Sequence, residues 1–194
     1  MYTVIAMFDF QRHDSSTPAP GDLEVVQRFM NLHEHDPDTG RELPASTEVV
    51  RSFLIGRGLL TEEERFTDRD RETALALAAA LHARVEPEGP SAEQVELLDR
   101  AAQDAGLHPH LEPEGPVIVP SEGGVKGALG QILAIAFLAD LDGGWADLKV
   151  CADEDCRSVF YDRSRNHSGR WCSMQACGNR NKVRAWRERQ KAGT

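Results

Sequence analysis

Four cysteines stand in the last quarter of the chain as Cys151-x4-Cys156 and Cys172-x4-Cys177, with fifteen residues between the pairs. Two thiols from each of two short turns are the donor set of a tetrahedral zinc ion, whose Zn–S bonds of about 2.3 Å require all four sulfurs to converge. Four sulfurs leave no position open for water or substrate, so such a Zn2+ is structural and single, not catalytic. In so short a segment the ion also stands in for a core too small to fold alone. The alternatives for these thiols are two disulfides or unrelated free cysteines, and a reducing compartment favours the metal.

A second chemistry surrounds the first. Residues 1–150 carry 27 acidic and 12 basic side chains, whereas residues 151–194 carry 5 and 10. The overall charge of −10, which by itself argues against a polyanionic partner, therefore belongs to the first part alone. Arg180, Arg184, Arg187 and Lys191 recur at steps of 4, 3 and 4, one stripe on a helix. Arg163, Arg165 and Arg170 lie between the cysteine pairs, and Arg157, Lys182 and Arg189 add to the basic count. Arginine predominates, and its planar fork suits phosphate or guanine. The alternative is a solvated basic face that docks on the acidic first domain.

Around the cysteines, Val159-Phe160-Tyr161 and Arg170-Trp171 have strand character, and the turn-rich stretch 162–169 predicts a hairpin between them. The run after Cys177 favours a helix, with Val183 and Trp186 spaced to pack on that hairpin and a helix N-terminus to steady thiolate charge near Cys172 and Cys177. Knuckle, hairpin and helix in this order suggest a treble-clef-like finger. Phe160 and Trp171 read as its core.

The first 144 residues read as mainly helical with a few short strands. Thr3–Phe10 is a candidate strand, and residues 36–44 read as a turn. Asp22 can cap a helix carrying Val25, Val26, Phe29, Met30 and Leu32. Ser46 or Thr47 opens a second helix, with Val49, Val50, Phe53 and Leu54 inward. Thr61-x-x-Glu64 is a capping box for a third, broken at Thr67 and running to Val85, and Ser91-x-x-Gln94 is a box for a fourth that ends at Gly106. Val117–Val119 is a candidate strand. Val125–Leu141 is apolar on nearly all sides, the pattern of a buried central helix. The division falls near Gly143-Gly144, giving a helical domain over 1–144 and a finger over 145–194.

Cys177-Gly178-Asn179-Arg180, preceded by Arg170-Trp171-Cys172-Ser173-Met174, resembles the CGNR zinc-finger family. Members of that family carry this finger behind a helical domain called ABATE, and Phe29-Met30-Asn31-Leu32-His33 is similar to ABATE's early Phe-Val-Asn-Thr segment, with Met30 and Leu32 in place of Val and Thr. The resemblance implies zinc on Cys151, Cys156, Cys172 and Cys177 and DNA binding by the finger. It further implies a mostly bacterial, stress-related transcription regulator, with the helical domain as sensor of a small-molecule ligand.

Other constellations carry less. His33-Glu34-His35-Asp36 lacks the His-Glu-x-x-His of a zincin, and on a helix end its histidines would diverge. Residues 36–40 lack the rest of a calcium loop, and His108 and His110 read as a solvated loop. There is no nucleophile elbow, phosphate loop or dinucleotide fingerprint, so an enzymatic site has no visible constellation. No stretch reaches the ~20 apolar residues of a membrane span, and Met1–Phe10 lacks the basic start of a secretory signal; the expectation is a cytoplasmic protein without a membrane partner. The leading expectation is a DNA-binding regulator that contacts nucleic acid through Arg163, Arg165, Arg170, Arg180, Arg184, Arg187 and Lys191, with RNA as a variant and a homodimer as one way to enlarge a small interface. The rival is a protein-interaction module in which the stripe meets an acidic partner or the acidic domain itself.

Overall fold

A computed structural model describes residues 16–35, 42–113 and 115–192. The strand expected at Thr3–Phe10 and most of the turn at 36–44 lie outside these residues. The described part holds six α-helices and six short strands, the strands paired into three antiparallel hairpins.

Helix α1, Leu23–Met30, buries Leu23, Val26, Gln27, Phe29 and Met30, the i, i+3, i+4 stripe that the sequence repeats. Asp22 occupies its N-cap position, but the side chain makes no capping bond there. A small hairpin follows, β1 (His33–His35) against β2 (Glu42–Pro44). His33 therefore sits in a strand, and the helical geometry expected for it does not apply. In α2, Thr47–Gly56, the Ser46 hydroxyl accepts from Val49 N, and Val50, Phe53 and Leu54 are buried while Val49 is half-buried.

The third helix corrects the sequence expectation. Glu64 does accept from Thr61 N, but this closes only a turn. Helix α3, Asp68–Ala83, starts at Thr67, which forms a reciprocal box with Asp70. Asp70 satisfies the orphan N–H groups in the way Glu at that position would. Helix α4, Ala92–Asp104, opens on the expected Ser91/Gln94 box and ends at Gly106, whose φ of +64° is the left-handed conformation that glycine adopts freely.

The segment expected as a loop around His108 is β3, His108–Glu112, paired with β4, Gly115–Val119. Its five residues are exposed, so the pairing rather than burial fixes it. Helix α5, Gly124–Leu141, is the central helix: α1, α4 and β4 pack on it, and Ile132, Leu133, Ala134 and Ala136 are buried. It is the one described helix long and apolar enough to cross a membrane by length and composition.

After α5 a 3-10 turn, Gly144–Asp147, leads into β5, Leu148–Val150, which pairs with β6, Val159–Tyr161. The partner of 159–161 is thus the strand before the first cysteine pair, not Arg170-Trp171 as expected. Trp145, Leu148 and Val159 belong to the same buried cluster as α1, α3 and α5. The chain closes with a π-helical turn, Met174–Gly178, and α6, Asn179–Ala192.

At Gly130 in α5 an added Cβ would lie 2.5 Å from Ala105 Cβ and 3.2 Å from Pro120 Cβ. Glycine lets α5 approach the end of α4. Alanine is the better helix former by about 1 kcal/mol, yet overpacking costs about 1–3 kcal/mol. Packing wins: Gly130→Ala lowers stability by about 1–2 kcal/mol in chemical denaturation.

Candidate metal centre

The β5–β6 hairpin delivers the first cysteine pair. Cys151 N donates to Ser158 O at 2.9 Å, continuing the ladder past Val150. The chain then folds tightly, with Cys156 N and Arg157 N both donating to Asp153 O, and Arg157 at φ +52° turns it back into β6. The second pair arrives from the other side. Ala152 N donates to Arg170 O, which lays the approach to Cys172 beside the knuckle. Ser173 accepts from Ala176 N and caps the π turn that carries Cys177.

The four sulfurs converge to within 4.8 Å of one another. Cys172 Sγ lies 3.6 Å from both Cys156 Sγ and Cys177 Sγ. A tetrahedron with Zn–S bonds of about 2.3 Å has edges of about 3.8 Å, whereas a disulfide needs about 2.05 Å. The cluster fits a metal, and the four cysteines are free thiols. The chain carries one structural Zn2+ site: Cys151, Cys156, Cys172 and Cys177 would hold the ion, which cross-links the knuckle to the start of α6. Phe160 packs on this cluster as expected, with half-buried Trp171 beside it.

Without metal the thiols differ. Hydrogen bonds from Cys151 and Cys172 pull Cys156 well below the ordinary thiol range. Hydrogen bonding with Cys151 and Cys156 pushes Cys172 up, and burial pushes Cys177 up to about 12. Metal loading must therefore displace protons held at neutral pH, so affinity falls as pH falls.

The residues around the ligands explain the motif that ends in Arg180. Arg180 Nε donates to Asp153 Oδ2 at 2.6 Å, and Nη2 reaches Cys177 Sγ at 3.3 Å. Asp153 is fully buried and also accepts from Asp155 N. The carboxylate beside it raises the Arg180 guanidinium above its ordinary value. One arginine thus bridges the knuckle carboxylate and a ligand sulfur, and offsets part of the −2 that four thiolates and one Zn2+ carry. Arg184 repeats the contact one turn on, 2.6 Å from Asp155 Oδ2.

The basic residues expected to meet nucleic acid therefore divide. Arg180 and Arg184 are clasped by the knuckle. Arg163 donates to Pro18 O and lies over the Tyr161 ring, and Arg170 lies over Trp171. Arg165, Arg187 and Lys191 are exposed and have no hydrogen-bond or ion-pair partner among the described residues. Val183 and Trp186, expected on the hairpin, are instead 47% and 56% exposed: with β5 as partner of β6, no strand among the described residues lies under that face of α6.

The loop 162–169 is itself fixed. Burial alone would raise Asp162, but hydrogen bonds from Lys149 Nζ, Ser164 N and Gly169 N outweigh it and hold the carboxyl well below the usual range. Lys149 Nζ also donates to His167 O.

Sequence reasoning missed how the centre joins the helical body. Asn31 takes both backbone groups of Val159: Val159 N donates to Asn31 Oδ1 and Asn31 Nδ2 donates to Val159 O, each at 2.8 Å. Gln27, fully buried, adds Nε2 to Val159 O at 3.1 Å and accepts from Ala19 N. Tyr161 N reaches Thr17 O, and Arg157 pairs with Glu86 at 2.8 Å. The available signal was a glutamine on the apolar stripe of α1, where a buried amide needs partners from elsewhere.

Comparison with known families agrees with this layout. The family model of ABATE, described as a putative stress-induced transcription regulator, matches residues 23–143. The model of the CGNR zinc finger matches residues 148–190. The two fit a zinc-binding regulator. No curated protein matches the chain.

Metal analysis gives one zinc per chain, and chelation lowers the melting temperature of the helical signal as well, because β6 is shared; Asn31→Ala costs about 2–3 kcal/mol in denaturation by stranding the Val159 N–H. Arg180→Gln leaves Asp153 buried without its cation and costs about 2–3 kcal/mol, and adding Asp153→Asn restores part of that loss.

Proposed function

We propose that this chain, which belongs to the ABATE family and carries a CGNR zinc finger, is a regulator that binds DNA through its C-terminal finger. The helical part, residues 1–144, acts as sensor or dimerisation body, and residues 145–194 form the reader. One observation carries the reading. Arg165, Arg187 and Lys191 project unpaired from a loop and a helix that are both held rigidly, by the Asp162 carboxylate and by the metal centre respectively. With the backbone already held, only the side chains are ordered when they meet phosphate, and arginine grips it with two bonds.

The positive surface differs from the expected stripe. Arg180 and Arg184 answer Asp153 and Asp155, so the phosphate contacts fall to the outer half of α6 and to Arg165. Docking also bears on the rival reading of an interaction module. Arg157 and Arg163 touch the helical body, while among the described residues the ion pairs of the α6 cations go to the knuckle. This favours an external polyanion for the helix. A single finger offers roughly 600–1,000 Å² of interface, which supports a dimer or a second contact in the working complex.

Binding of the zinc-loaded chain to random-sequence duplex DNA over a salt series tests the proposal. Affinity is expected to fall log-linearly with salt, about 0.9 in slope per neutralised phosphate. Arg187→Gln and Lys191→Gln each flatten the slope by about one, whereas Arg184→Gln changes it less. Absence of binding at low salt would leave the interaction module as the better reading.

A further inference from the structure

We propose that the outer face of α6 is a stacking platform for unpaired nucleobases, centred on Trp186 and flanked by Lys182 and Arg189. The inference rests on the nucleic-acid reading and adds what form of strand the helix selects. Lys182, Trp186 and Arg189 are spaced by four and three residues, which aligns them on one face at 100° per residue. That face is turned by about 180° from the one bearing Arg180 and Arg184, which meets the knuckle through Asp153 and Asp155. It is therefore the side that looks away from the metal centre.

Trp186 is 56% exposed, and Val183, one helical step away, is 47% exposed. The other two tryptophans are less open: Trp145 is buried in the main core, and half-buried Trp171 packs beside the cysteines. Lys182 and Arg189 are exposed and have no partner among the described residues. A large flat ring held open between two free cations suits a ligand that alternates planar apolar surfaces with negative charge.

A single strand of nucleic acid has that alternation. Bases stack on an aromatic ring while phosphates meet the neighbouring cations, and the recognition tolerates any base because every base has a π-face. In a duplex the base faces are covered by their neighbours, so the ring could reach only edges or sugars. A membrane surface is disfavoured because an interfacial helix needs a continuous apolar face, and α6, NRNKVRAWRERQKA, offers only Val183, Trp186 and alanines. A second copy of this helix would bring like charges together.

The test uses the full zinc-loaded chain with a short oligothymidine, the same length of duplex, and vesicles containing phosphatidylserine. Titrations at low salt follow both a labelled strand and tryptophan fluorescence. The expected result is quenching by the single strand and a loss of about tenfold or more for single-strand affinity in Trp186→Ala, with duplex affinity within about twofold of the parent and Trp186→Phe retaining most single-strand binding. Trp186 is exposed, and unchanged zinc content and circular dichroism verify that the variants fold. If neither oligonucleotide binds, the nucleic-acid reading fails and the platform with it. If both bind but Trp186→Ala weakens neither selectively, the platform is overturned while that reading stands. Vesicle binding that depends on Trp186, with oligonucleotide binding unchanged, overturns it in favour of a lipid surface.

Discussion

The structure depends on the backbone of one residue. Val159 has its N–H and C=O taken by Gln27 of α1 and by Asn31, the residue that ends it, while its side chain lies fully buried in the main core. Its neighbour Phe160 packs on the cysteines, and Ser158, just before it, accepts from Cys151 N. Three successive residues thus belong to the metal centre, the helical core and the metal centre again. A buried amide that lost these partners would bear its full desolvation cost, so α1 and the hairpin hold each other in register. The zinc ion then fixes the far end of the same hairpin to α6.

Electrostatics follow from this arrangement. A centre with four thiolates needs nearby cations, and a basic helix needs anions to hold it in place. Arg180 serves both demands through Asp153 and Cys177, and Arg184 continues the contact with Asp155. The acidic residues of the knuckle are therefore the counterparts of the helix that follows. What remains free is Lys182 on the opposite face, Arg187, Arg189 and Lys191 farther along α6, and Arg165. The positive region offered to a partner is smaller and farther from the metal than the basic count of residues 151–194 suggests.

The cysteine cluster was legible because thiol chemistry is sparse and its spacing stereotyped. The helices were legible for the same kind of reason: apolar residues at steps of three and four mark α1, α2 and α5, and Ser91 and Gln94 mark the start of α4. Pairing was harder. The segment 159–161 has strand composition, but nothing local distinguishes a partner at 148–150 from one at 170–171. Choosing between them depends on Val159 reaching α1, more than a hundred residues away. The exposure of Val183 and Trp186 follows from the same misassigned partner. His108 and His110 look like loop in sequence because Pro109 and exposed neighbours hide the ladder with 115–119, and Thr67 with Asp70 is a less familiar box than Thr61 with Glu64. The stripe of cations was found by periodicity, yet periodicity says nothing of Asp153 and Asp155, which neutralise its first two turns.

Small metal fingers are often interchangeable cassettes, since the ion supplies the fold and the surroundings are only solvent. The β6 strand does not allow that here. Its inner edge is completed by the amides of Gln27 and Asn31 and its valine by the core of the helical body. Moved to a new host without a matching asparagine and apolar seat, the finger would expose an unpaired strand edge and a bare hydrophobic side chain. Gln27, Asn31 and the apolar seat of Val159 would have to be supplied together wherever the finger is placed.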